Sequence, residues 1–167
     1  MLRLGRWLFL LLAAGLAVLL LATLGNLPPV VASHFGGSGA PNGWSTRTGY
    51  ATLMIVVGAL LPFGVVAMVA ALTSGGPELL NIPSRSYWRR PEHAAEAVRL
   101  VRAYVWWLGC IMSGTALAIH WLVLRANALQ PPRLSTPAIL VVLGGVLGAV
   151  ALWIGGWYRL LRPPASG

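Results

Sequence analysis

The sequence predicts an all-α, polytopic membrane fold in which four helices cross the bilayer, and three observations carry that prediction. Apolar residues fill 57% of the 167 positions and charged residues only 9%, whereas soluble domains carry about 25% charged residues. Four long stretches contain no Asp, Glu, Lys or Arg. The cationic residues, all of them arginine, gather at the ends of those stretches. A nucleic-acid binder would cluster its basic residues beside aromatics on a polar surface, so no nucleic-acid partner is expected. The length allows one domain, 1–167, with the lipid bilayer as its main partner.

Each stretch becomes a helix because about 20 apolar residues cross a hydrocarbon core of roughly 30 Å, and a helix satisfies its own backbone in lipid. The first follows Arg6, runs from Trp7 to Gly25 and gives a helix at about 5–26. Arg3 and Arg6 before a Leu-rich run also resemble a signal peptide. The run exceeds the usual hydrophobic region of about 7–15 residues and has no close small-x-small cleavage site, so a retained helix is expected. The second, apolar from Tyr50 to Leu72, gives a helix at about 49–73. Within it Pro62 lacks an N–H and frees the carbonyl of Gly58, which marks a bend or a packing point. The third apolar run, Ala103 to Leu124, belongs to a helix at about 91–125. Pro91 suits a first helical position and Glu92 the first turn, while Glu96 and Arg99 are spaced to pair. The fourth, Leu134 to Tyr158, gives a helix at about 135–160. Its Gly144 and Gly148 form a GxxxG pair, a small-residue face expected to pack within the chain, with homo-oligomerisation the lesser reading.

Arginine placement sets the expected orientation. Arg3, Arg6, Arg85, Arg89, Arg90, Arg99, Arg102, Arg159 and Arg162 fall on one side, against Arg47, Arg125 and Arg133 on the other. The positive-inside rule then puts both termini and the connection 74–90 in the cytoplasm, and the loop 27–48 outside. A bacterial cytoplasmic (inner) membrane is the expected location. Trp7 and Trp157 are expected at the inner interface, Trp44, Tyr50 and Trp121 at the outer one. The cluster Tyr87, Trp88, Arg89 and Arg90 suits anionic headgroups, each Arg contributing about 1 kcal/mol near the surface. Cys110, alone inside an apolar run, reads as a small packing residue.

The outer loop from Leu27-Pro28-Pro29 through His34-Phe35 continues as Gly39-Ala40-Pro41-Asn42-Gly43-Trp44. Val30 to Phe35 is expected to be extended, and Gly36 to Gly43 to turn. This loop resembles the bacterial membrane "domain of unknown function 1648" family, whose pattern is roughly P-x-x-(I/V)-P-x-H-(F/W) followed by G-x-P-D. The stretch Asn81-Ile82-Pro83, Tyr87-Trp88 and Pro91-Glu92 resembles a second segment of many four-helix members. Ala32 and Ser33 stand where members often carry Pro, and Asn42 replaces the usual acidic residue. A related branch, the SdpI-type immunity and signalling proteins, protects against a secreted toxin and captures a regulator. Those chains usually have additional helices and a second domain.

No catalytic motif stands out: the sequence has no G-x-S-x-G, H-E-x-x-H, P-loop or C-x-x-C, and no Asp. The expectation is therefore a non-enzymatic protein without a cofactor. His34 and His120 fall on the same side and form the best metal pair, though zinc needs three or four ligands. The expected function is partner or toxin binding through the outer loop, with His34, Phe35, Asn42 and Trp44 as the contact residues. The alternatives are a small oligomeric transporter or channel subunit, and an accessory subunit of a larger membrane complex.

Overall fold

The computed structural model describes residues 3–163. Its four long helical units are each long and apolar enough to cross a membrane: Leu4–Asn26, Arg47–Leu72, Pro91–Asn127 and Thr136–Leu160. The chain is thus a multi-pass membrane protein, mostly helical. In chain order the elements are α1 (Leu4–Thr23), a 3-10 turn (Leu24–Asn26), β1 (Val30–Phe35), β2 (Pro41–Thr46), α2 (Arg47–Ile55), a π turn (Val56–Leu60), α3 (Leu61–Leu72), α4 (Arg85–Trp88), α5 (Pro91–Asn127) and α6 (Thr136–Leu160). The two strands pair antiparallel and make the outer loop a hairpin. Turn-forming residues suggested irregular chain from Gly36 to Gly43, yet Pro41 onwards is strand because it has β1 to pair with.

The long helix α5 is the axis of the fold. Gly5 and Gly109 let α1 approach it closely: a Cβ on Gly5 would lie 3.1 Å from the indole nitrogen of Trp107, and one on Gly109 3.0 Å from the Phe9 ring. Phe9 is fully buried there beside Ala13 and Cys110. Cys110 directs its Sγ at the Gly5 carbonyl, 3.3 Å away, which agrees with its packing role.

On the other side of α5, Pro62 has the consequence that its missing N–H requires. The helix opens into the π turn, where the Leu61 N–H donates to the Val56 carbonyl. The Gly58 carbonyl, left without its Pro62 donor, accepts from Ser113 Oγ of α5 at 2.7 Å. Pro62 itself is buried. This is the repair that membrane helices use around proline, a neighbouring hydroxyl replacing the lost backbone donor.

α6 behaves differently from expectation. None of its residues is buried, and space is open where Cβ atoms would stand on Gly144, Gly145 and Gly148. Among the described residues, therefore, nothing packs closely on the GxxxG face. The contact runs instead through an aromatic column: Tyr104 stacks on Trp153 at 5.6 Å, Trp153 on Trp157 at 6.0 Å, and the Tyr104 hydroxyl donates to the Trp153 carbonyl. The rings make this contact beside Gly156, where a Cβ would strike the Tyr104 hydroxyl, while Gly144, Gly145 and Gly148 stay uncovered.

The arginine-rich end also departs from the headgroup reading. Trp88 is buried with Leu80, Ile82, Ala97, Val101 and Leu161, and its indole donates to the Leu161 carbonyl at 2.8 Å. That carbonyl belongs to the end of α6, where no helical partner remains. Tyr87 stacks on His93 at 4.0 Å, and Arg89 donates to the Glu78 carbonyl. Of the four residues assigned to lipid, Arg90 alone is fully exposed. Glu96 and Arg99 do pair, at 3.1 Å.

Replacing Ser113 with Ala should cost about 1 kcal/mol, since a hydroxyl–carbonyl bond in a membrane protein is worth that order. Gly58→Ala should cost more, roughly 1–3 kcal/mol of overpacking, because its Cβ would meet Ala116 Cβ at 2.7 Å. Reversible unfolding in mixed micelles measures both, and Gly64→Ala, where space is open, is the control.

Candidate functional site

The hairpin end is assembled from the backbone outward. Val31 and Ala32 are fully buried, and Val31 joins a cluster with Leu16, Leu20, Leu27, Tyr50, Met54, Ala116 and Val123. β1 is therefore seated on the helices rather than floating above them. A seated edge strand has backbone groups that point away from its partner and need hydrogen bonds. Asn127 supplies them. Its Oδ1 accepts from the Ala32 N–H at 2.9 Å, and its Nδ2 donates to the Ala32 carbonyl at 3.0 Å and to the Val123 carbonyl at 2.9 Å. The side-chain amide thus acts as one more peptide group beside β1. Sequence reading missed Asn127, because an Asn at a helix end looks like an ordinary terminator.

The hairpin turn is tied down separately. The Gly36 N–H donates to the Ala40 carbonyl at 2.8 Å and the Gly39 N–H to the Gly36 carbonyl at 2.9 Å, while Gly39 carries φ +79°. The Leu134 N–H then donates to the Gly39 carbonyl at 2.9 Å. A Cβ at Gly39 would strike the Leu134 carbonyl, so both conformation and space require glycine there. At the base, Arg47 donates to the Leu27 carbonyl, and its N–H to the Pro29 carbonyl at 3.0 Å. Thr46 Oγ1 accepts from the Gly49 N–H and caps α2.

Beneath the hairpin, His120 is fully buried. Its Nδ1 lies 2.9 Å from the Tyr50 hydroxyl and its Nε2 2.9 Å from Thr23 Oγ1. Thr23 commits its one hydroxyl hydrogen to the Leu19 carbonyl, 2.6 Å away, so it can only accept from His120. The imidazole therefore carries its proton on Nε2, and Nδ1 accepts from Tyr50. Three helices, α1, α2 and α5, are tied by this one ring. Tyr50 is accordingly a core residue and not the interfacial anchor expected.

The structure does not assemble the metal pair suggested for His34 and His120. Both nitrogens of His120 face hydroxyls, while His34 is exposed with its Nδ1 3.2 Å from Ser33 Oγ. No group of three His, Cys, Asp or Glu side chains gathers among the described residues. Of the other loop residues, Asn42 and Trp44 are exposed, and Trp44 is 53% exposed despite its size. Phe35 differs: half-buried, it packs onto the Leu16–Tyr50 cluster, because the strand irregularities around His34 turn it inward. His34 sits against Gly43, where a Cβ would come within 2.9 Å of the His34 Cβ.

Residues 10–60, from within α1 to the end of the π turn, match the family model described as "Domain of unknown function (DUF1648)". The match covers the hairpin that carries the loop motif. No curated protein matches the chain, and no solved structure does.

Substituting Asn127 with Leu keeps the volume but removes both partners of Ala32. Leaving a buried N–H and carbonyl unpaired should cost about 2–4 kcal/mol. Amide exchange at Ala32 should accelerate, and cleavage by a protease should appear at Gly36–Gly39. Exchange unchanged from wild type would show that Asn127 does not hold the hairpin.

Proposed function

We propose that this DUF1648-containing membrane protein is a non-enzymatic recognition component of a bacterial cytoplasmic membrane, and that it binds a protein or toxin-like partner through the outward-facing hairpin. One observation carries the reading. His34, Asn42 and Trp44 project from a hairpin whose backbone is pinned at the edge, the turn and the base, so large exposed side chains are held in fixed positions. Preorganisation of that kind reduces the entropy cost of binding, and an exposed Trp is a common energetic anchor of interfaces. Phe35 takes a supporting role here, holding the hairpin to the bundle.

A photoreactive amino acid at position 44 or 42 should capture a discrete partner in native membranes, and His34→Ala should weaken that capture. The same probe at Leu140, an exposed position on α6, serves as the lipid-facing control. Capture only of lipid from positions 42 and 44, in cells that show the protein's phenotype, would reject the hairpin as a recognition surface.

Orientation with both termini in the cytoplasm rests on the arginine distribution. An impermeant thiol reagent added to intact cells should then label Ser38→Cys and not Ser84→Cys, with buried Cys110 as the internal blank. The reverse pattern would invert the assignment.

A second reading, an accessory subunit of a larger membrane complex or a homo-oligomer, is favoured by α6. Its Gly144 and Gly148 face meets no close neighbour among the described residues, and close backbone approach by another helix is what such a face permits.

A further inference from the structure

Four arginines outside the packing core and the hairpin line one open surface depression. Arg3 and Arg6 of the α1 start, with Arg99 and Arg102 of α5, line an open space of about 500 Å³ together with Trp106. Each pair is spaced i, i+3 and so lies along one face of its helix. The Gly5–Trp107 and Phe9–Gly109 contacts bring the two helices together, and all four arginines line the space beside that contact. Arg102 is held in place, with Nε donating to Thr73 Oγ1 at 2.6 Å and Nη2 to the Ala70 carbonyl at 2.9 Å.

The arrangement is electrostatically incomplete. Among the described residues, Glu96 is the one carboxylate paired with any of the four, through Arg99. Arg3 and Arg6 also stand at a helix N-terminus, where the dipole already presents positive charge and disfavours cations. Like charges at this spacing destabilise a helix unless an anion compensates them. All four lie at the edge of the apolar runs, the depth of phosphate groups in a bilayer.

We propose that this arginine-lined depression is a binding site for a phosphate group. Guanidinium forks match phosphate oxygens bidentately, and a tetrahedral anion offers enough acceptors for guanidiniums arriving from two helices. The phosphate belongs either to an anionic phospholipid headgroup or to a soluble phosphate compound. The site is separate from the hairpin, and its chemistry stands whether or not the hairpin binds a partner.

The test uses the full chain purified in detergent and reconstituted in nanodiscs of phosphatidylglycerol and phosphatidylcholine, with native mass spectrometry reading the bound lipid. A parallel titration with inorganic phosphate in detergent reads the soluble source. Removing an arginine from such a surface should weaken binding about fivefold, and removing three about a hundredfold. The variants are Arg6→Gln alone and the triple Arg3→Gln/Arg6→Gln/Arg99→Gln, sparing the structurally bonded Arg102. Arg159→Gln/Arg162→Gln removes charge elsewhere and should leave binding unchanged. Arginine-sensitive retention of phosphatidylglycerol assigns the site to lipid, and arginine-sensitive binding of inorganic phosphate alone assigns it to a soluble ligand. Retention unaffected by Arg6→Gln, or lost equally in the Arg159/Arg162 variant, overturns the proposal. So does the absence of binding in both arms.

Discussion

In hydrocarbon no water is present to satisfy a backbone N–H or C=O, and each unpaired group costs several kcal/mol. Much of the distinctive side-chain chemistry of this protein answers that constraint, within the spans and where packing excludes water at their ends. Where the second span loses a donor at Pro62, Ser113 replaces it at the Gly58 carbonyl. Where β1 exposes its edge, Asn127 pairs with both backbone groups of Ala32. Where α6 ends, the Trp88 indole takes the Leu161 carbonyl. Three different side chains thus do one job, and each reaches across from α5 or its approach to another element.

Those repairs explain why α5 is the longest helix and the most buried of the four spans. It carries Ser113, His120 and Asn127 on every second turn of one face, so one rigid element serves the π turn, the His120 junction and the hairpin in sequence. The hairpin inherits its order from that column. An irregular polar loop at the same place would have backbone groups to hydrate and no reason to hold His34, Asn42 and Trp44 still.

The arginines divide by the same logic. Arg47, Arg89 and Arg102 spend guanidinium hydrogens on protein carbonyls or hydroxyls and act as structural ties. Arg3, Arg6 and Arg90 remain exposed. A count of positive charge weighs both groups alike for orientation, because topology depends on which side the charge resides and not on what it touches. The proposed phosphate site draws on Arg3 and Arg6 of that second group, together with Arg99 and the fixed Arg102.

By itself the sequence determined the membrane class, the four spans, the start of the third helix at Pro91, the Glu96–Arg99 pair and the effect of Pro62. Each follows from hydropathy, helix geometry or a missing N–H, which are local properties. The loop motif likewise pointed to the family whose model covers residues 10–60. Only the tertiary structure decided that Tyr50 and Trp88 are core, that Phe35 points inward, that Asn127 anchors the hairpin, that both His120 nitrogens face hydroxyls, and that Gly144 and Gly148 stay uncovered. An aromatic ring or an amide reads the same in sequence whether its polar atom meets lipid headgroups or a buried carbonyl. The difference is a partner contributed from far along the chain: 70 residues separate Tyr50 from His120, and 95 separate Ala32 from Asn127.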